Sequence, residues 1–144
     1  MQDNTMKLIS RSKSLLDKYI QEALEKKGFS GLVSSHGELI IVVAEYKNGI
    51  IMKDLAKLIG KDPSTVSSLV KKLEKNDYVS LSKSEIDQRS RLVKLKSKGW
   101  LFLEVITDIS NQLFDLIYNE IEDDNRIVFR TTLNKIINNL DKEM

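Results

Sequence analysis

Apolar residues along the chain recur with two different periods, and the change of period divides it into elements. Leu8, Ile9, Leu15, Leu16, Tyr19, Ile20 and Ala23 fall three, four and seven residues apart, which predicts a long amphipathic helix over 6–27, ended by the stretch 28–31. Ser35, with Glu38 three positions on, precedes the run Leu39-Ile40-Ile41-Val42-Val43 and predicts a capping-box start to a second helix. The β-branched run also suits a strand. The box, and Glu45-Tyr46-Lys47 continuing the element to an Asn48-Gly49 stop, favour a buried helix. Leu55, Ala56, Leu58 and Ile59 share one face of a short helix over 53–59, closed by Gly60. Asp62-Pro63 then supplies an N-cap and a first helical residue. In the helix that follows, Val66, Leu69, Val70 and Leu73 stand at i, i+3, i+4 and i+7 and leave Ser64, Thr65, Ser67, Ser68, Lys71 and Lys72 outside.

From Tyr78 to Lys83 and again from Arg91 to Lys96 the period shortens to two, and the polar segment 84–90 lies between, which predicts a β-hairpin with an extended tip. Two short helices joined by a tight turn and followed by such a hairpin read as a winged helix-turn-helix. Leu101, Val105, Ile106, Ile109, Leu113, Leu116 and Ile117 mark a long helix, and Ile127, Val128, Leu133, Ile136, Ile137 and Leu140 another, with the break expected at 122–125. The fold class expected is mostly α with a small β-hairpin.

A chain of 144 residues holds a real core but not two large lobes. Its net charge of +2 does not by itself announce a polyanionic partner, so position matters more than total. Lys71, Lys72 and Lys75 share one segment, and Lys83, Arg89, Arg91, Lys94, Lys96 and Lys98 follow closely, whereas Glu120, Glu122, Asp123 and Asp124 gather elsewhere. Cysteine is absent, which excludes disulfides, a thiol nucleophile, thiolate ligands and cysteine redox sensing. A single histidine leaves no nucleophile–base set and no zinc site, no paired carboxylates flank a cleft, and no glycine-rich phosphate cradle occurs. No enzyme activity, cofactor or metal is expected. Neither a signal peptide nor a spanning segment is legible, so the cytoplasm is the expected location.

The pattern suits double-stranded DNA. A major groove admits one α-helix, and its first residues come closest to the base edges. Small hydroxyl side chains at Ser64, Thr65, Ser67 and Ser68 permit that approach, Lys71 and Lys72 reach toward the backbone, and the helix N-terminus offers N–H groups to phosphate. Arg89 at the tip and Arg91 beside it suit the adjacent minor groove or its phosphates. Asp87, two residues before Arg89 and four before Arg91, suits pairing with one of them to hold the wing's geometry.

At segment 50–99 the chain resembles the MarR family of bacterial regulators. The resemblance rests on Met52-Lys53-Asp54-Leu55-Ala56, on the run from Ser64 to Glu74, on Asp87, Arg89 and Ser90 in the wing, and on Leu95 with Gly99 opening the next helix. The flanking helical stripes extend it over nearly the whole chain. It implies a homodimer whose interface comes from residues 1–32 and 100–144, with 33–99 as the DNA-binding region. It further implies a regulator of a pseudo-palindromic operator, a repressor as many members are, with an activator left open, and a small aromatic or phenolic effector in a cleft for which Phe29, His36 and Tyr46 are the candidate residues. Structural roles stay open beside that, for His36 as a hydrogen-bonded side chain and for Tyr46 as a packing residue. Four positions depart from the family pattern: Asp77 stands where glycine usually ends the recognition helix, Leu81 where a basic residue is common, Gln88 where the wing often has arginine, and Lys96 where threonine is usual. They motivate the alternative of a degenerate winged helix that holds another protein.

Overall fold

The computed structural model describes residues 2–86 and 89–144 and contains six helices and three strands among them. In chain order these are α1 (Thr5–Lys26), α2 (Ser34–Ala44), β1 (Ile50–Ile51), α3 (Met52–Ile59), α4 (Pro63–Lys75), β2 (Val79–Lys83), β3 (Arg91–Leu95), α5 (Ser97–Ile117) and α6 (Asp123–Glu143). The chain divides into two compact units, residues 1–109 and 110–144.

The first unit holds the main hydrophobic core. Leu24 of α1, Leu39, Ile40 and Val43 of α2, Leu55 of α3, Val66, Val70 and Leu73 of α4, Val79 and Val93 of the strands, and Phe102, Ile106 and Ile109 of α5 pack together there. The run 39–43 is helical, as the sequence pattern favours, with Leu39, Ile40 and Val43 buried, Val42 half-buried and Ile41 exposed. The start of α2 differs from the expected Ser35–Glu38 box. The N-cap is Val33, and His36 at the third helical position takes up the reciprocal half of the motif, its Nδ1 accepting the Val33 N–H at 3.0 Å. Ser34 instead donates its hydroxyl to Asp17 of α1 at 2.8 Å, and Glu38 is exposed.

The helix also ends earlier than its pattern suggests. Glu45 and Tyr46 donate to the carbonyls of Val42 and Val43, three residues back, and Gly49 donates to Tyr46, so the segment tightens into turns before β1. Gly49 has φ +96°, and a Cβ there would sit 2.7 Å from Leu92 of β3. That close approach lets Ile50 and Ile51 pair with Val93 and Leu92, adding a strand the two-residue period was too short to reveal. The sheet is antiparallel with order β1-β3-β2, and β2 pairs β3 in the register Val79↔Leu95 to Lys83↔Arg91.

In the second unit the break between helices falls at 118–122, earlier than the expected 122–125. Glu120 has φ +60°, Glu122 is the N-cap of α6, and Asp123 and Asp124 occupy its first turn, where negative charge suits the helix dipole. Arg126 lies over the rings of Phe114 and Tyr118, with Asp123 at 3.6 Å. No helix among the described residues is long and apolar enough to cross a membrane.

Candidate nucleic-acid interface

The N-terminus of α4 is built by Asp62 and Pro63. Pro63 opens the helix where a missing N–H costs nothing, and the Asp62 carboxylate accepts the Ser64 N–H at 3.1 Å. The Ser64 hydroxyl donates to the same carboxylate. These bonds, the hydroxyl's foremost, hold the Asp62 carboxyl below its ordinary value. The Ser64 N–H is therefore already satisfied by the N-cap that the sequence predicts.

Further along α4 the 100° advance per residue separates side chains that are neighbours in sequence. Val66, Val70 and Leu73 face the core. Ser64, Ser68, Lys71 and Lys75, at i, i+4, i+7 and i+11, form an exposed stripe on the opposite side. Thr65 and Lys72, seven apart, lie on one flank and are exposed; Ser67 lies on the other and is half-buried. Lys75, which the sequence places in the basic segment, thus joins the outward face, and the i+4/i+7 spacing alone is enough to find it. Lys72 is turned away from that stripe, and its ammonium donates to the Gly31 carbonyl in the α1–α2 connection.

The C-terminus of α4 explains two of the family departures together. Asp77 has φ +65°, the left-handed conformation for which glycine is favoured. Its N–H donates to Glu74 and that of Tyr78 to Leu73, closing a Schellman motif over the buried pair Leu73 and Tyr78. The Asp77 carboxylate then pairs with Lys96 at 3.1 Å. Lys98 donates to the Asn76 carbonyl at 3.0 Å and lies 4.5 Å from the centre of the Tyr78 ring. The ammonium groups of Lys96 and Lys98 are thus occupied within the protein.

The wing presents a different basic cluster. Lys83 and Arg91 stand directly opposite each other across β2 and β3, both exposed, a like-charge pair that the hairpin holds against mutual repulsion. The ladder continues past them, with the Ser84 N–H on the Ser90 carbonyl at 3.0 Å, so the two cations are rigidly based. Arg89 is exposed in the turn beyond and Lys94 is exposed on β3. Leu81 lies opposite Val93 and packs on the core, where a basic side chain would lose its hydration. Asp87, expected to brace the wing, and Gln88 lie outside the described residues.

The three candidate effector residues occupy different surroundings. Phe29 packs at a tilt on Phe102 and Tyr78, ring centres 5.1 and 6.4 Å apart, half-buried against the core. His36 is buried, and burial together with the nearby Lys72 charge lowers its pKa to about 4. Tyr46 lines a groove of about 790 Å³ between α3 and the wing, with Leu58, Ile86 and Leu92; neither Phe29 nor His36 borders it.

Comparison with known proteins supports the architecture along its length. Residues 39–90, from α2 through the wing tip, match the MarR family model. The chain is 27% identical over 131 residues to the HTH-type transcriptional regulator SarZ of Staphylococcus epidermidis, covering 91% of this chain and 84% of SarZ. Its fold superimposes on a MarR protein of Peptoclostridium difficile with a TM-score of 0.88 at 17% identity, over 99% of this chain and 91% of that one. It matches the Staphylococcus aureus MepR in a MepR–DNA complex with a TM-score of 0.87 at 18% identity, over 96% and 99% of the two chains. The matched segment, the three-stranded wing and the terminal helices agree on one likeness: over nearly its whole length the chain is similar to the MarR family of winged-helix transcriptional regulators.

Proposed function

We propose that the chain is a sequence-specific repressor that binds a pseudo-palindromic DNA site as a homodimer. The observation that carries this reading is the outward stripe Ser64, Ser68, Lys71 and Lys75 on α4, in a unit whose wing holds Lys83 opposite Arg91. The serines suit base edges and the lysines suit phosphates, and the repelling wing pair would gain from a phosphate between or beside its cations. Thr65, Ser67, Arg89 and Arg91 are further contacts in this reading. Residues 33–99 supply the DNA-binding region, and 1–32 with 100–144 the interface between copies. The solved structure of MepR with DNA adds support by analogy of fold.

Selection of duplexes from a random pool tests it. The parent chain should enrich a two-fold symmetric site with half-sites about one helical turn apart, 10–10.5 base pairs. Its affinity should fall steeply as salt rises, because neutralised phosphates release counterions. Ser68→Ala should alter the enriched sequence, and Arg89→Ala should mainly lower general affinity. Absence of duplex binding even at low salt would leave the winged helix as a protein-interaction module.

A further inference from the structure

Lys71 and Lys72 are adjacent in sequence and both exposed, yet the helix sends them in different directions. Lys71 lies on the outward stripe of α4. The Lys72 ammonium reaches back across 41 residues of sequence to the Gly31 carbonyl, in the connection that carries α1 into α2. A Cβ built on Gly31 would lie 3.6 Å from that ammonium, so the amine sits against the backbone itself. The connection it grips leads directly into the α2 cap, where His36 accepts the Val33 N–H.

We infer that Lys72 is a positioning residue for DNA binding, tying the recognition helix to the Gly31 carbonyl rather than neutralising a phosphate. The inference rests on the DNA reading above and deepens it. A lysine that contacts phosphate must present its ammonium outward, and this one is already bonded on the side facing α1 and α2. Its grip fixes the angle between α4 and the connection from α1, which belongs to the region assigned above to the interface between copies. The other lysines around the end of α4 work in the same way. Lys98 holds the Asn76 carbonyl and Lys96 the Asp77 carboxylate, so cations gather on the negative end of the helix dipole from both sides.

The chain's single histidine makes the placement measurable without DNA. The Lys72 charge lowers the pKa of the His36 imidazole, after burial as the larger cause, to about 4. In an NMR titration of the imidazole C–H signals, Lys72→Met should raise that midpoint by a few tenths of a pH unit or more, since a nearby positive charge is removed. Lys72→Arg and Lys71→Met should leave it near the parent value. Lys72 is exposed, so the Met variant keeps the core intact.

The second arm uses the duplex that the parent chain selects from a random pool. Lys71→Met should reduce the slope of log affinity against log salt by about 0.9, one phosphate contact's worth. Lys72→Met should lower affinity roughly three- to tenfold at every salt concentration with the slope unchanged, and Lys72→Arg should restore it. A slope reduced as in Lys71→Met, an affinity equal to the parent's at every salt concentration, or an unmoved His36 midpoint in Lys72→Met would each overturn the inference. A parent chain that selects no duplex would sink the DNA reading instead, and the titration alone would then decide where Lys72 is held.

Discussion

His36 shows how one side chain can fix a helix start and set an acid limit on stability. Its Nδ1 accepts the Val33 N–H, so the neutral ring carries its proton on Nε2, which is buried without a hydrogen-bond partner among the described residues. Protonation would destroy the acceptor and place a charge near Lys72, and the folded-state pKa lies at about 4, below the ordinary 6.5. Between those two values the unfolded chain binds the proton and the folded one does not, so stability must fall as the pH drops from 6.5 toward 4. Glutamine is a natural third residue of a capping box and does not titrate. His36→Gln should therefore retain the helix start and flatten the thermal-unfolding profile over that window, where the parent loses about 2–3 kcal/mol. A parent and variant that lose stability in parallel from pH 6.5 to 4.5 would show that His36 does not set the limit. At the other end of α4, Asp77 accepts a left-handed backbone that glycine would adopt without strain, and its exposed bond to Lys96 is worth at most about 1 kcal/mol.

Between elements the tightest constraint is the seat of α5 on the turn that follows α4. The Tyr78 carbonyl accepts the Lys96 N–H at 3.0 Å, and a Cβ added at Gly99 would lie 2.2 Å from that oxygen. Backbone cannot yield as a flexible side chain does, so α5 and the Tyr78 turn pack this closely only because residue 99 has no side chain. Gly99→Ala should lower stability by about 1–3 kcal/mol despite alanine's better helix propensity, a fall in melting temperature readable by circular dichroism. A melting temperature equal to or above the parent's would mean the two elements are not seated as described. The same packing logic accounts for β1, whose two residues earn their place through Gly49 lying against Leu92.

Across the whole molecule, apolar surface is left uncovered on the terminal helices. No residue of α6 is buried, and Ile127, Val128, Phe129, Ile137 and Leu140 are each at least half exposed. Met6, Leu8, Ile9 and Leu15 are exposed on the first half of α1, although Leu24 in its last turn is fully buried. Such stripes face water at a cost that a second copy would remove in the homodimer proposed above. Two-fold symmetry counts every interface substitution twice. Burial of one such side chain contributes about 1.5–3 kcal/mol, so the double variant Ile137→Glu/Leu140→Glu should weaken association roughly a thousandfold or more. Sedimentation should show the parent as a dimer and the variant as a monomer of similar helicity. A parent that sediments as a monomer at micromolar concentration would refute the homodimer.

Much of this protein is set by order along the chain, because helix period, caps and hairpin alternation are local properties. The Asp62-Pro63 start of α4, its Val66-Leu69-Val70-Leu73 face and the β2–β3 hairpin are legible from neighbours a few residues apart. The run 39–43, ambiguous by propensity, is helical as expected, but neither the Ser35–Glu38 box nor the continuation through Lys47 on which that expectation rests is present. Tertiary structure decided which polar groups remain available to a partner. Lys72 reads as a DNA-facing cation in sequence and Lys96 and Lys98 as members of the basic cluster, yet each is held by a group distant in sequence: Gly31, Asp77 and Asn76. A lysine's charge is written in the chain, but the acceptor that its four-carbon stem reaches is a matter of packing, and so is the division between cations that hold the fold and those left for phosphate.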